Sequence, residues 1–519
     1  MNKTDLSKQD VEKMIQKFHF SEEIQQIINN ENLLPLGVLN RLNSAYPDYS
    51  TFNENADFIF HDKEAYIGLK GFREVVEILS KNGIIIDHLE ERELFIQVYR
   101  FMVTKHILNL INWKNFQNDS LFQLVFPQPG MMRKEIKDKY HNAKTPEEKK
   151  QVINDYFIQT NPHDGHQKLN KPVFVNADGE IEIIEGSQHK YPLCQLIFDK
   201  ETQNCFAFCS YCFRHAQVRG DRDMFIQKDI SQVHRYLKMH KEVSDILITG
   251  GDAAYITPER FEEYIDPFIN DPELLHIKSV RLGTRILTYY PEKILSRSYE
   301  SMLKLFKKLY DNGIQPVIVA HFSTPRELLN VSTISAIRRL KSYGVTIKSQ
   351  SPIMNHISFF TDENGKVDVD RSAQNWIDLA NILAMLGVGF HSMYIARPTG
   401  EHHYFAVPIA DINKVFNKIF RSLASINRPS RYITMTSSAG KISLLGTVEV
   451  NGETLFALKF NEARNMEWLD NVFLAQYDEK QKVIENLTPY ESDKFFYVDE
   501  LLEIENQLSK KLDLSQNKK

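Results

Sequence analysis

Cysteine is scarce here, four in 519 residues, which excludes a disulfide-stapled scaffold. Charge of one sign is not in excess either. Lys and Arg number 63 against 68 Asp and Glu, a net charge of −5, so the basic footprint that nucleic acid requires is missing. No apolar run approaches the roughly 20 residues of a membrane span. Neither a nucleic acid nor a membrane is therefore an expected partner. Met1–Lys17 holds no apolar leader, and with reduced cysteines the expected location is the cytoplasm. There is no solenoid repeat and no low-complexity segment apart from a polar tail after Leu508. What remains, 42% apolar and 25% charged, suits a globular enzyme of roughly two to four domains.

Three of the four cysteines stand together as C-x₃-C-x₂-C, at Cys205, Cys209 and Cys212. Three thiolates on one short loop can hold three corners of a cubane iron–sulfur cluster. An electron-transfer cluster takes four protein thiolates, so a three-thiolate site leaves one iron open to a small ligand. Zinc is the competing reading, with His215 or His189 completing a Cys₃His set. Structural zinc usually recruits a second cysteine knuckle, and none exists. Unliganded thiols are the third possibility. Cys194 lies in the apolar run LCQLIFD and reads as a core thiol.

Residues 1–165 read mostly as helix, with apolar residues at three- and four-residue spacing over Leu94–Leu110 and Gly71–Ser80. Pro127-Gln-Pro-Gly130 breaks that pattern, and Lys134–Lys150 reads as a solvated helical connection. From about Lys190 short apolar runs recur at intervals of roughly 30–45 residues, the spacing of strand–helix units. They are Leu193–Asp199, Asp245–Thr249, Ser279–Thr284, Gln315–Phe322, Val345–Gln350 and Val388–Ala396. Amphipathic helices fit between them at Phe261–Phe268, Tyr299–Asn312, Ser332–Tyr343 and Ala373–Leu386. Six βα units in a row predict an α/β fold, a parallel sheet closed or partly closed as a barrel over 166–400. Polar residues collect at the strand ends: the cysteines, Gly250-Gly251-Asp252, Gly283-Thr-Arg285, His321, Gln350-Ser351 and Arg397. That is the face on which parallel βα barrels build their chemistry.

With these residues the chain resembles the radical S-adenosylmethionine (SAM) superfamily, and within it the lysine 2,3-aminomutase family, from about His189 to Lys441. The C-x₃-C-x₂-C loop is the superfamily signature, and Gly250-Gly251-Asp252 looks like its glycine-rich motif. His189-Lys-Tyr-Pro192, Arg281-Leu-Gly-Thr-Arg285, His321-Phe322 and Ser349-Gln-Ser351 match the aminomutases more narrowly. The resemblance implies a partial (βα)₆ barrel and an isomerase that moves an α-amino group to the β-carbon. It implies a [4Fe–4S] cluster on Cys205, Cys209 and Cys212, with SAM chelating the open iron. Gly250 and Gly251 would let backbone approach SAM, and Asp252, Arg285, His321 and Gln350 would supply polar contacts. Pyridoxal phosphate (PLP) is the further implied cofactor, held through Lys441 in the C-terminal region 401–519. Lys190 and Tyr191 match its phosphate contacts, and Arg214 matches the grip on the substrate α-carboxylate. A run of glycines usually precedes that lysine in the family, whereas this chain has Gly440 alone.

Lysine-specific members hold the distal ammonium with two aspartates, where this chain has Arg397 and Thr434. A buried arginine facing an ammonium would oppose binding by several kcal/mol, whereas a distal carboxylate would be welcome. An acidic amino acid such as glutamate is therefore the expected substrate. The alternatives are lysine, a protein lysine with the N-terminal region docking the partner protein, and a zinc-stabilised binding protein. The inter-subunit metal cysteines of lysine enzymes have no counterpart after Cys212. The other partners implied are a one-electron reductant of flavodoxin or ferredoxin type and a second copy of the chain in a homo-oligomer.

Overall fold

The computed structural model describes residues 5–49, 58–160, 165–176, 179–219, 225–430 and 432–516. The first residues of the leader reading (1–4) and the last of the polar tail (517–519) lie outside them, as do 161–164 beside the expected 165/166 boundary.

Eleven strands make one sheet whose spatial order is their chain order. They are β1 (Ser187–Tyr191), β2 (Cys194–Phe198), β3 (Asp245–Thr249), β4 (Ser279–Thr284), β5 (Gln315–Ala320), β6 (Thr346–Ile353), β7 (Gly389–Ile395), β8 (Ile433–Thr436), β9 (Gly440–Val450), β10 (Glu453–Ala463) and β11 (Val472–Gln476). From β2 to β7 each strand pairs in parallel with the next. Helices Ile230–Met239, Pro258–Asn270, Glu300–Asp311, Val331–Ser342 and Val369–Met385 make the crossovers. The six predicted runs match these strands to within a few residues, because apolar runs bounded by turn residues leave little choice of register. β1 joins one edge antiparallel. At the other edge β8 adds in parallel through the Tyr394–Thr434 pair, and β9 to β11 continue antiparallel. These five outer strands carry mixed polar sequence and were not expected.

The predicted helix Leu94–Leu110 is interrupted. Leu89–Val98 and Lys105–Leu110 are helical, and Met102–Thr104 between them is a strand paired with Ala65–Ile67. Thr104 then caps the second helix by accepting from the Ile107 amide. Lys134–Lys150 splits likewise at Thr145-Pro146, where Thr145 and Glu148 form a capping box. The tail after Leu508 continues the helix Val498–Gln516. Among the described residues no helix is long and apolar enough to cross a membrane.

One continuous apolar core joins the helical N-terminal region, the sheet and the strands that follow it. A buried carboxyl links the first two. Glu401, after β7, is 1% exposed and accepts from Tyr156 at 2.6 and 2.7 Å and from Tyr99 at 3.0 Å. Burial raises its pKa to about 7 from 4.5, partly opposed by those hydroxyls and by Arg133. His403 lies 3.6 Å away. A raised carboxyl pKa favours folding fully below pH 4.5, and that benefit is lost as pH rises through 7. Across this window the wild-type protein should lose roughly 3 kcal/mol relative to Glu401→Gln. Denaturant midpoints of both proteins between pH 4 and 8 measure it, and a constant difference would contradict the assignment.

Candidate active site

The cysteine loop leaves β2 through Asp199, a buried hub. Its Oδ2 accepts from Arg260 Nε at 2.9 Å and the Tyr264 hydroxyl at 2.7 Å, while Oδ1 takes the Glu201 amide. The next residues press on the β3 turn. The Gly251 and Asp252 amides donate to the Thr202 carbonyl at 2.7 and 3.1 Å. A Cβ on Gly250, whose φ is +143°, would sit 2.5 Å from Thr202 Oγ1, and one on Gly251 would sit 2.6 Å from the Asn204 carbonyl. Both glycines are thus required by the chain that delivers Cys205, a different reason from the expected approach to a ligand.

From there the loop is buried against the N-terminal region. Phe206, Ala207 and Phe208 are each under 7% exposed. Buried amides need acceptors, and the loop finds them across the interface. Phe208 N donates to Met102 O at 2.8 Å, Ser210 N to Leu124 O at 2.8 Å and Ser210 Oγ to Gln123 O at 2.7 Å. His215 Nε2 reaches Thr160 O at 2.7 Å, and its ring lies edge-on to Tyr99 and Phe157.

Cys205, Cys209 and Cys212 line one cavity of about 200 Å³ at the C-terminal ends of the parallel strands. Also lining it are Arg214, Gly250, Gly251, Asp252, Gly283, Arg285, His321 and Gln350, together with Tyr211 and Tyr289. Burial holds the Cys212 thiol up at about 12 and raises Cys205 well above its usual value, the neighbouring thiols adding to both. Arg285 Nη1 lies 2.5 Å from the Tyr289 hydroxyl and 3.4 Å from Cys209 Sγ. His321 Nε2 meets the Tyr211 hydroxyl at 3.0 Å. Burial first, then the Arg285 charge, keeps that histidine neutral. Gln350 follows a bulge at His391, where Ser349 pairs with Phe390 but Gln350 with Ser392. Asp252 is committed to structure: it accepts from Thr284 Oγ1 at 2.5 Å and from the Ala254 and Arg285 amides at 2.9 Å each. Burial lifts its pKa to about 6.

A second cavity, about 160 Å³, shares Tyr211, Phe213, His321 and Gln350 with the first and continues to Tyr394, Arg397 and His402. Cations gather around it. Arg214 stacks on Phe198 and Phe213 at 4.7 and 5.0 Å. Burial, then the Arg397 charge, pulls its pKa to about 10. Among the described residues neither Arg214 nor Arg397 forms an ion pair. Lys190, 9% exposed, donates to the Ser437 carbonyl, and burial, Arg464 and Arg397 push its pKa far down. Lys441 Nζ lies 4.8 Å from the Tyr191 ring centroid and 2.6 Å from Glu462 Oε2, its cross-strand partner. Burial opposes the Lys441 charge, but Tyr394, Tyr191 and Glu462 outweigh it and raise the pKa.

Of the residues singled out by sequence, the three cysteines, Arg214, Gly250, Gly251, Asp252, Arg285, His321 and Gln350 share one cavity, and Arg397 lines its neighbour. Lys190, Tyr191 and Lys441 meet beside them. Thr434 lines neither cavity; it is 1% exposed, with its hydroxyl 3.1 Å from Ser443 Oγ. Cys194 is the buried thiol expected, accepting from Arg281 at 3.0 Å. Both candidate zinc histidines are engaged, His215 as above and His189 with Tyr236 at 2.6 Å and the Pro192 carbonyl at 3.0 Å. Among the described residues no three His, Cys, Asp or Glu side chains converge as a single-ion site. Tyr289, Glu462 and Arg464 escaped sequence reasoning because no motif marks them, and Tyr211 because it is a spacer residue between Cys209 and Cys212.

No protein-family model matches the chain. It is 26% identical over 267 residues to a protein of Aquifex aeolicus provisionally named L-lysine 2,3-aminomutase, covering 51% of this chain and 66% of that one. It is 30% identical over 158 residues to the glutamate 2,3-aminomutase of Clostridioides difficile, covering 30% and 34%. By sequence the chain is similar to proteins named lysine and glutamate 2,3-aminomutase. It spans less than two thirds of the length of either relative. A solved structure, Streptococcus suis SuiB bound to S-adenosylmethionine, aligns at a TM-score of 0.29 and 15% identity over 54% of this chain and 53% of that one, too little to bear on the fold.

If Gly251 makes room for the cysteine loop, Gly251→Ala should displace Asn204 and cut iron uptake on anaerobic reconstitution by more than half. Gly283→Ala, whose Cβ would meet nothing nearer than 3.6 Å, should retain it. Equal uptake by the two variants, measured as iron per chain, would contradict this.

Proposed function

We propose that the chain is a radical SAM, PLP-dependent 2,3-aminomutase acting on an acidic amino acid such as L-glutamate. The observation that carries this reading is the pair of half-buried guanidinium groups, Arg214 and Arg397. Neither is ion-paired among the described residues; Arg214 lines the cavity that the three thiols line, and Arg397 lines the cavity adjoining it. Half-buried cations without an ion-pair partner are unfavourable, and a ligand with two carboxylates relieves both.

The donor set suits the implied cofactors. Cys205, Cys209 and Cys212 hold a [4Fe–4S] cluster with one iron left for SAM, as three thiolates at one cavity allow. Gly283, His321 and Gln350 shape the wall toward SAM. Lys441 is the lysine for PLP, and the cations Lys190 and Arg464 beside it suit a phosphate, with Tyr191 flanking. When bound, SAM and the cluster supply a 5′-deoxyadenosyl radical, and PLP delocalises the substrate radical.

The chain's own residues bind, orient and exclude water. Arg214 fixes the α-carboxylate through two parallel hydrogen bonds, its guanidinium carbon lying 4.7 Å from the Phe198 ring centroid and 5.0 Å from that of Phe213. Arg397 receives the distal carboxylate. Glu462 keeps the charged Lys441 side chain beside Tyr191. Neutral His321 and Tyr211 close the wall between the two cavities. In this reading 1–165 braces the loop, 166–400 forms the partial barrel and 401–519 carries Lys441. An electron carrier of ferredoxin or flavodoxin type supplies the reducing electron.

The test is anaerobic. The protein is reconstituted with iron, sulfide and PLP, given SAM and dithionite, and offered glutamate, aspartate, lysine and alanine separately, with NMR reading β-isomers. A product from glutamate is expected, absent from Cys209→Ala. In Arg397→Asp, kcat/KM should fall roughly 30-fold or more, the equivalent of about 2 kcal/mol or more at a buried charge pair. Turnover of lysine alone would overturn the substrate assignment. SAM cleavage without any amino-acid product would move the reading to a protein side chain.

A further inference from the structure

Cys209 differs from the other two thiols. Of the three loop thiols it alone, among the described residues, receives hydrogen bonds at sulfur from other side chains, with Tyr289 Oη at 2.9 Å and Arg285 Nη1 at 3.4 Å. Arg285 also reaches the Tyr289 hydroxyl, at 2.5 Å. A guanidinium has donors and no acceptor, so the tyrosine oxygen must accept from it. The tyrosine proton is then left for the sulfur. A metal-bound cysteine is a thiolate without a proton of its own, so loading the site enforces the same direction. The chain of donors runs one way, Arg285 to Tyr289 to Cys209.

This chain is also held rigidly. Tyr289 is 2% exposed and Arg285 7%. The guanidinium lies 4.9 Å from the Tyr289 ring centroid, and its Nη2 is 3.2 Å from Ser323 Oγ and 3.6 Å from Glu327 Oε1. Asp252 accepts from the Arg285 amide at 2.9 Å, and Thr104 of the N-terminal region donates to the Tyr289 carbonyl. A surface tyrosine would exchange with water; this one cannot move without disturbing three elements.

We propose that Arg285 and Tyr289 form a directed hydrogen-bond chain that raises the reduction potential of the cluster held by Cys209. The proposal rests on the iron–sulfur reading above and adds positioning residues to it. One-electron reduction adds negative charge to the cluster and its sulfurs. A donor and a cation fixed beside one sulfur stabilise the reduced form more than the oxidised form, so the potential rises. Arg285 thereby serves the cluster, in addition to any contact with SAM.

The experiment uses Tyr289→Phe, which keeps the ring and its packing and removes only the donor. Wild type and variant are reconstituted with iron and sulfide, assayed for iron per chain and titrated electrochemically under EPR detection. The expected result is equal iron with a more negative midpoint in Tyr289→Phe. Arg285→Lys, which keeps the charge but not the fork, should shift in the same direction. An unchanged midpoint in fully loaded Tyr289→Phe would overturn the proposal. So would loss of iron from a variant with unaltered circular dichroism, which would make the hydroxyl a support of the loop rather than a tuner. A wild-type protein that takes up no iron would overturn the iron–sulfur reading itself, and the proposal with it.

Discussion

The main-chain hydrogen bonds that seat residues 202–215 are the constraint on which the rest of this molecule depends. A buried loop must satisfy its amides or lose the free energy of a hydrogen bond for each. Here the acceptors come from both sides. Met102, Leu124 and Thr160 lie in the N-terminal region, and Thr202 accepts from the β3 turn. The N-terminal region is therefore a mould for the cysteine loop as well as a helical extension, which gives a physical reason for more than 150 residues ahead of the sheet. Glu401 fastens the same region to the end of β7.

The second organising feature is an imbalance of charge. Arg214, Arg397, Lys190, Arg464 and Lys441 lie close enough to perturb one another, while Glu462, Glu485 and Glu505 are acids near them. Such an arrangement is unfavourable in an empty site and becomes favourable when anions fill it. A phosphate and two carboxylates are what the proposed reaction would bring. Fold and charge thus argue for the same chemistry from independent directions.

Much of this was legible in the sequence. The runs DILIT and SVRLGT became β3 and β4 without a shift of register, because a parallel strand buried on both faces reads as a short apolar block. The cysteines, Gly250-Gly251 and Arg285 came together because strand ends of consecutive βα units share one face. What was hidden follows the same logic. β1 is polar almost throughout, β8 to β10 interleave polar with apolar residues, and the short VFLA block of β11 falls outside the strand–helix spacing. The break at Tyr99 within Leu89–Leu110 is set by pairing with Ala65–Ile67, a tertiary contact that local periodicity does not encode. Asp252 reads as a ligand contact in sequence and is a turn clamp in space. Glu462 is one charged residue in a hairpin until cross-strand register sets it opposite Lys441.

In the proposed function three thiolates, seated by the N-terminal region, hold a cluster with one iron open to SAM. EPR spectroscopy of the reconstituted, dithionite-reduced protein, recorded with and without SAM, tests it most directly. A [4Fe–4S]⁺ signal that changes on adding SAM is the predicted result, because a ligand at the open iron alters its symmetry. A spectrum indifferent to SAM, or a protein that binds zinc and no iron, would contradict it.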